Sequence, residues 1–152
     1  MPAVKKPKLA EVRVIRTSDQ NPDMSFLGEY SNHPAKIHID RQEKGDWTGP
    51  REYRYFNAGD GDPAYIEQDY ARYEAYNRGE WQMVGVWAEA EVIINNTVQK
   101  IRSGGLWGIE SDAGEYLDEV AQEQLNELRD ILASMDVRAP KWKSADVKIK
   151  DR

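Results

Sequence analysis

The chain has 152 residues, with 27 Asp and Glu against 21 Lys and Arg, and a formal net charge of −6. It contains no cysteine, which excludes disulfides, thiolate nucleophiles and cysteine-ligated zinc. A mean hydropathy of −0.82 and the lack of any run near ~18 apolar residues argue against a membrane-spanning helix, while five Trp, eight Tyr and two Phe are too many aromatics for a disordered acidic chain.

Met1 to Ala10 carries Lys5, Lys6 and Lys8 with no apolar segment behind them, so it reads as a basic arm and not as a signal peptide. Glu11 to Arg16 alternates as a first strand. Asn21-Pro22-Asp23 is turn chemistry, and short strands are expected at Gly28–Tyr30, Lys36–Ile39 and Arg51–Phe56, the last two separated by a polar, breaker-rich stretch. Asp62 followed by Pro63 is an N-cap signal for a first helix running to Arg78, where Gly79 stops it. Ile66, Tyr70, Tyr73 and Tyr76 lie at helical spacing along it.

Trp81 to Ile94 is the clearest strand. Val84, Val86, Ala88, Ala90, Val92 and Ile94 share one face, which predicts a helix packed on that side only. Asn95-Asn96 suits a tight hairpin turn, since Asn tolerates positive φ, with return strands at Val98–Ser103 and Leu106–Ile109. A second helix is expected from an Asp112 N-cap, with Glu115 three residues on as in a capping box. Leu117, Val120, Ala121, Leu125, Leu128, Leu132 and Met135 form its buried stripe. Arg138 to Arg152 holds six cations against two carboxylates and reads as a basic tail, able to fold back onto the acidic helix and neutralise it.

These elements predict an α+β fold: a mostly antiparallel sheet of about five to seven strands with two helices on one face. Residues 11–137 would form a single domain between a basic arm (1–10) and a basic tail (138–152).

The main functional signal is electrostatic. Between Ile109 and Asp130 eight carboxylates face Arg129 alone, which leaves the rest of the chain close to neutral. Glu115, Asp118, Glu119, Glu123, Glu127 and Asp130 are the candidate partner-binding residues, because a local negative field attracts a basic, nucleic-acid-binding surface. The bland alternative is a solvated face. Glu89 and Glu91, two apart on the long strand, could instead ligate Mg²⁺ with Asp60 or Asp62 or do acid–base work, although no motif fixes such partners. Ser103-Gly104-Gly105 could cradle a phosphate but lacks any P-loop context, so a strand bend beneath Trp107 fits better. The tyrosines could stack bases, yet fit a core stripe better. His33 and His38 belong to no catalytic or metal-ligand pattern. No cofactor, metal or catalytic residue is assigned.

Asp69-Tyr70 leading to Glu74–Trp81, Ala88-Glu89-Ala90-Glu91-Val92 and Ser103–Asp112, with Gly28-Glu29-Tyr30 and Glu52–Phe56, together resemble small proteins of bacteriophages and integrated mobile elements. The resemblance spans most of residues 11–135 and implies a bacterial host cytoplasm and an accessory role such as countering host defence. That family has no established activity, so no functional residue is carried over from it. The leading expectation is a non-enzymatic interaction protein whose acidic helix docks on a basic host protein, in the manner of an anti-CRISPR inhibitor. The alternatives are a metal-dependent nucleic-acid-processing enzyme built on Glu89 and Glu91, and direct nucleic-acid binding through the Lys-rich arms, which include Trp142. No membrane contact is expected.

Overall fold

The structure, a computed structural model, describes residues 5–59 and 61–152. Strands and helices occur in separate, mixed arrangements, an α+β fold. The chain divides into two compact units, residues 21–82 and the combination of 1–20 with 83–152.

The larger unit is built on the strand with the strongest period-two signal. β1 (Lys8–Ser18) and β5 (Met83–Ile94) pair antiparallel along nearly their full lengths. β6 (Thr97–Arg102) returns along β5 from a turn in which Asn95 and Asn96 both have positive φ (50° and 68°), the geometry of a two-residue hairpin. β7 (Leu106–Glu110) also pairs with β5, with a register irregularity between Val84 and Val86. α3 (Glu115–Ser134) packs on β5. Val84, Val86, Ala88, Ala90 and Val92 meet Val120, Ala121, Leu125, Leu128 and Leu132 in one core, to which Val14, Ile109 and Val137 add. Ala88 and Ala90 are wholly buried and let the helix come close.

The opposite face of β5 is not left open, contrary to the one-sided cover expected. Met83, Trp87 and Glu89 are buried there. Trp107 lies so close over Gly85 that a Cβ would sit 2.5 Å from its ring, which is why this strand position has no side chain.

The tail also has structure. Residues 144–146 form a 3-10 turn, and β8 (Ile149–Asp151) pairs parallel with β1, opposite Val14, Ile15 and Arg16. The larger sheet therefore has the order β6-β5-β1-β8, with β7 on β5.

The smaller unit has its own antiparallel sheet, β2 (Gly28–Ser31), β4 (Tyr55–Ala58) and β3 (His38–Asp40), in the order β2-β4-β3. α2 (Ile66–Asn77) packs on it. The strands of this α+β fold thus form a five-stranded and a three-stranded sheet, each with a long helix of its own unit. The core holds Ile39, Phe56, Ile66 and Tyr70, with Tyr30 and Tyr73 against it, so the tyrosine stripe is packing.

Three boundaries differ from expectation for local reasons. The Asp62 carboxylate accepts from the Ala64 N–H at 2.9 Å and closes a turn, so α2 begins only at Ile66. α3 starts at Glu115, because Gly114 takes φ 63° and breaks the run from Asp112. A short helix, α1 (Arg41–Lys44), occupies part of the stretch read as loop, with the Asp40 carboxylate accepting from Gln42 N–H.

The close β5–α3 approach predicts that Ala90→Leu lowers unfolding stability by about 1–3 kcal/mol through overpacking. In urea denaturation, Ile93→Ser at the exposed end of the same strand should leave the midpoint nearly unchanged.

Candidate functional site

α3 presents three flanks, set by the turn of about 100° between successive residues. The apolar stripe faces β5. On one side of it, Gln124 and Glu127 reach the loop after β6: Gly105 N–H donates to Gln124 Oε1 (2.9 Å), and Gly104 N–H donates to Glu127 Oε1 (3.1 Å). Ser103 Oγ donates to the same Gln124 oxygen at 2.6 Å, and Ala88 N–H donates to Ser103 Oγ at 2.9 Å. The N–H groups that would cradle a phosphate are thus already bound to the helix. This loop is a buttress for α3, and the bend expected beneath Trp107 is held by side chains 19 to 23 residues on.

On the other side, Gln122 grips the tail with both ends of its amide. Its Nε2 donates to Trp142 O (2.8 Å), and its Oε1 accepts from Ser144 N–H (2.9 Å). Arg129 Nε donates to Ala139 O at 3.2 Å. The tail therefore folds back onto α3, but through backbone groups.

Between these flanks lies the acidic ridge. Glu115, Asp118, Glu119, Glu123, Glu127 and Asp130 are all exposed. Among the described residues none of them forms an ion pair, so the basic tail leaves their charges available. The six are not equivalent. Glu127 is tied to Gly104, and Glu115 and Asp118 stand in the first turn, where the helix dipole already favours a carboxylate. Glu119, Glu123 and Asp130 carry no such structural duty. Tyr116 is 48 % exposed on the same outer side. It was missed as a site residue, although its place three and seven residues before Glu119 and Glu123 was readable as one helix face.

Glu89 and Glu91 are strand neighbours on one face, as expected, but Glu89 is not a half-exposed ligand. It is 5 % exposed and held by two guanidinium groups. Arg13 Nε donates to Glu89 Oε2 at 2.7 Å; Arg152 donates to both carboxylate oxygens, at 3.2 and 2.8 Å. Arg13 Nη2 also reaches Glu91 Oε1 at 3.1 Å. Burial alone would push the Glu89 carboxyl up, but hydrogen bonds and attraction from Arg152 and Arg13 outweigh it and hold it below the usual carboxylate range. Burial works against the Arg13 charge too, and Glu89 and Glu91 overcome it and raise that pKa. Two fixed cations on the carboxylate make this a structural clasp between β1, β5 and the chain's last residue. Asp60 lies outside the described residues, and Asp62 is used in its own turn. Among the described residues no group of three His, Asp or Glu is arranged to hold a metal ion.

The smaller unit centres on Arg41, which is fully buried. Its guanidinium donates to Thr48 O (2.7 Å), Tyr53 O (2.8 Å) and Pro50 O, and contacts Glu74 Oε1 at 3.3 Å. It also lies over the rings of Tyr30 and Trp47. Tyr30 OH donates to Glu74 Oε1 at 2.9 Å; burial and the neighbouring carboxylate push its pKa far up, so it stays a neutral donor. Because Arg41 takes the carbonyls of residues 50 and 53, β4 begins later than the alternation from Arg51 suggested. His38 Nδ1 lies 2.7 Å from Ala35 O, and the His33 N–H donates to Ser31 Oγ, both local turn contacts.

The clasp yields a pH-linked prediction. Glu89→Gln leaves two guanidinium groups over a site that no longer balances them, with an expected loss of about 3–5 kcal/mol at pH 7 in chemical denaturation. A carboxylate with a lowered folded pKa stabilises fully above its unfolded pKa of about 4.3, and this stabilisation disappears as pH falls through the folded value. The gap between parent and E89Q should therefore close on acidification below the ordinary carboxylate range. A gap that persists would place the loss in packing.

No family model, curated protein or solved structure matches this chain.

Proposed function

We propose that the protein is a non-enzymatic interaction module that presents the exposed side of α3 to a basic surface on a nucleic-acid-binding protein. The observation that carries this reading is the row formed by Glu119, Glu123 and Asp130, exposed and without ion pairs among the described residues, beside the exposed ring of Tyr116. Carboxylates at i and i+4 repel one another by a few tenths of a kcal/mol. Here they are borne by a helix held rigid on both flanks, so little ordering accompanies docking. An aromatic ring within a charged rim supplies apolar contact area where charge alone gives mainly rate and orientation.

The resemblance to small phage and mobile-element proteins supports a bacterial host cytoplasm as the setting, and a host defence factor that grips nucleic acid as the target. A metal-dependent activity centred on Glu89 has less support, because two arginines occupy that carboxylate.

The test is capture from nuclease-treated host lysate, with partners identified by mass spectrometry and affinities measured on the purified pair. The Glu119→Gln, Glu123→Gln, Asp130→Asn triple variant should bind a basic, nucleic-acid-binding partner about tenfold or more weakly, mainly through a slower on-rate, and with less dependence on salt. Tyr116→Ala should weaken the same pair through a faster off-rate. Equal binding by parent and triple variant would make the ridge a solvated face.

A further inference from the structure

The basic tail, which the proposed docking of α3 does not use, builds a surface of the opposite sign on the same unit. Three adjoining clefts run beside it. One, of about 490 Å³, is lined by Gln122, Asn126, Arg129, Lys141, Trp142 and Lys143, together with Asp130. The next, of about 420 Å³, shares Arg129 and Asp130 and adds Arg138 and Asp136. The third, of about 400 Å³, shares Asp136 and Arg138 and ends at Lys6 and Lys8 of the entering chain. The shared residues make the three clefts neighbours along one surface, and together they form a groove. Lys6, Lys8, Arg129, Arg138, Lys141 and Lys143 line it against two carboxylates, and none of these six cations is in an ion pair among the described residues.

The groove is a consequence of how the tail is anchored. Gln122 and Arg129 bind the backbone of residues 139, 142 and 144 and hold that segment along α3. Trp142 packs part of its ring against the core, which leaves the flanking Lys141 and Lys143 exposed, while its remaining surface lines the groove. A row of cations with an aromatic surface among them, on a backbone held in place, is what a single-stranded nucleic acid requires: charge along the backbone and a ring for a base.

We infer that this groove binds single-stranded nucleic acid, through phosphate contacts from the six cations and base contact at Trp142. The neighbouring ridge decides against a wider polyanion. A helix with its side chains is about 10–12 Å across, somewhat more than the Debye length of about 8 Å at physiological salt, so a polyanion that reaches over α3 comes within range of Glu119 and Glu123. A duplex, or the acidic α3 of a second copy, would be broad enough to meet that ridge and be repelled. A single strand can follow the clefts without crossing it. The inference stands apart from the proposed docking of α3 because its cations and Trp142 are not part of that surface, and Asp130 alone is common to the two.

The experiment is fluorescence anisotropy of the full chain with a labelled oligothymidylate and its uridylate counterpart, beside a duplex of equal length and poly-glutamate, over a range of salt. The single strands should bind more tightly than the duplex. Lys141→Gln, Lys143→Gln and Arg138→Gln together should lower the slope of log affinity against log salt by about two, at about 0.7 per lost phosphate contact. All three are exposed and outside the anchoring bonds, and an unchanged thermal melt will confirm that the fold is intact. Trp142→Phe should retain single-strand binding, and Trp142→Leu should weaken it at constant salt slope. An unchanged affinity and slope in the triple variant would overturn the inference. So would equal or tighter binding of poly-glutamate or duplex, or salt-sensitive self-association seen in sedimentation, which would assign the groove to an acidic protein segment, to duplex nucleic acid or to a second copy.

Discussion

The contact between the small apolar face of β5 and the leucine stripe of α3 is the constraint from which the larger unit follows. β1, β6 and β7 all pair with β5, so every strand there except β8 takes its register from it. Ala88 and Ala90 admit the helix, and Leu125, Leu128 and Leu132 fill the space that these small residues leave. Once α3 is seated in that rotation, its remaining sides have no freedom. Gln124 and Glu127 come to the glycine loop, Gln122 and Arg129 come to the tail, and the outer carboxylates are left to solvent.

The charges of this unit are sorted by that seating. Glu89 is neutralised on the far face of the sheet by Arg13 and by Arg152. Arg138, Lys141 and Lys143 of the tail lie along one side of α3, and the ridge carboxylates lie on its outside. Opposite signs thus remain close but unpaired, because the bonds that place the tail are backbone bonds to Gln122 and Arg129. A tail held by lysine–carboxylate pairs would have cancelled both fields. Holding it by its peptide groups preserves an acidic surface and a basic one beside the same helix.

The smaller unit uses the reverse strategy, with charge inside. Arg41 satisfies three carbonyls and a carboxylate among aromatic rings, so a loop with little apolar content is closed around a buried cation. Nothing in the local pattern around Arg41 marks it as buried. Its partners come from residues 48 to 53 and from Glu74 on α2, and Glu74 itself reads in the sequence as an ordinary helix carboxylate. Its burial follows from Arg41, Thr48 and Tyr30 converging on it.

The sequence by itself determined the features that depend on neighbours in the chain. The Asn95-Asn96 hairpin follows from the tolerance of Asn for positive φ. The alternation from Val84 to Val92, the leucine stripe of α3 and the exposed position of its carboxylates follow from repeats of two and 3.6 residues. So does the assignment to the α+β class. Only the tertiary structure decided whether a charged side chain is free or spent, because that depends on partners far along the chain. Glu89 meets Arg152 from 63 residues away, Glu127 meets Gly104 from 23 residues away, and the tail becomes a strand only when β1 offers its open edge. Period and capping are local properties of a polypeptide. Ion pairing, a shared groove and the pairing of β8 exist only after the chain has closed on itself.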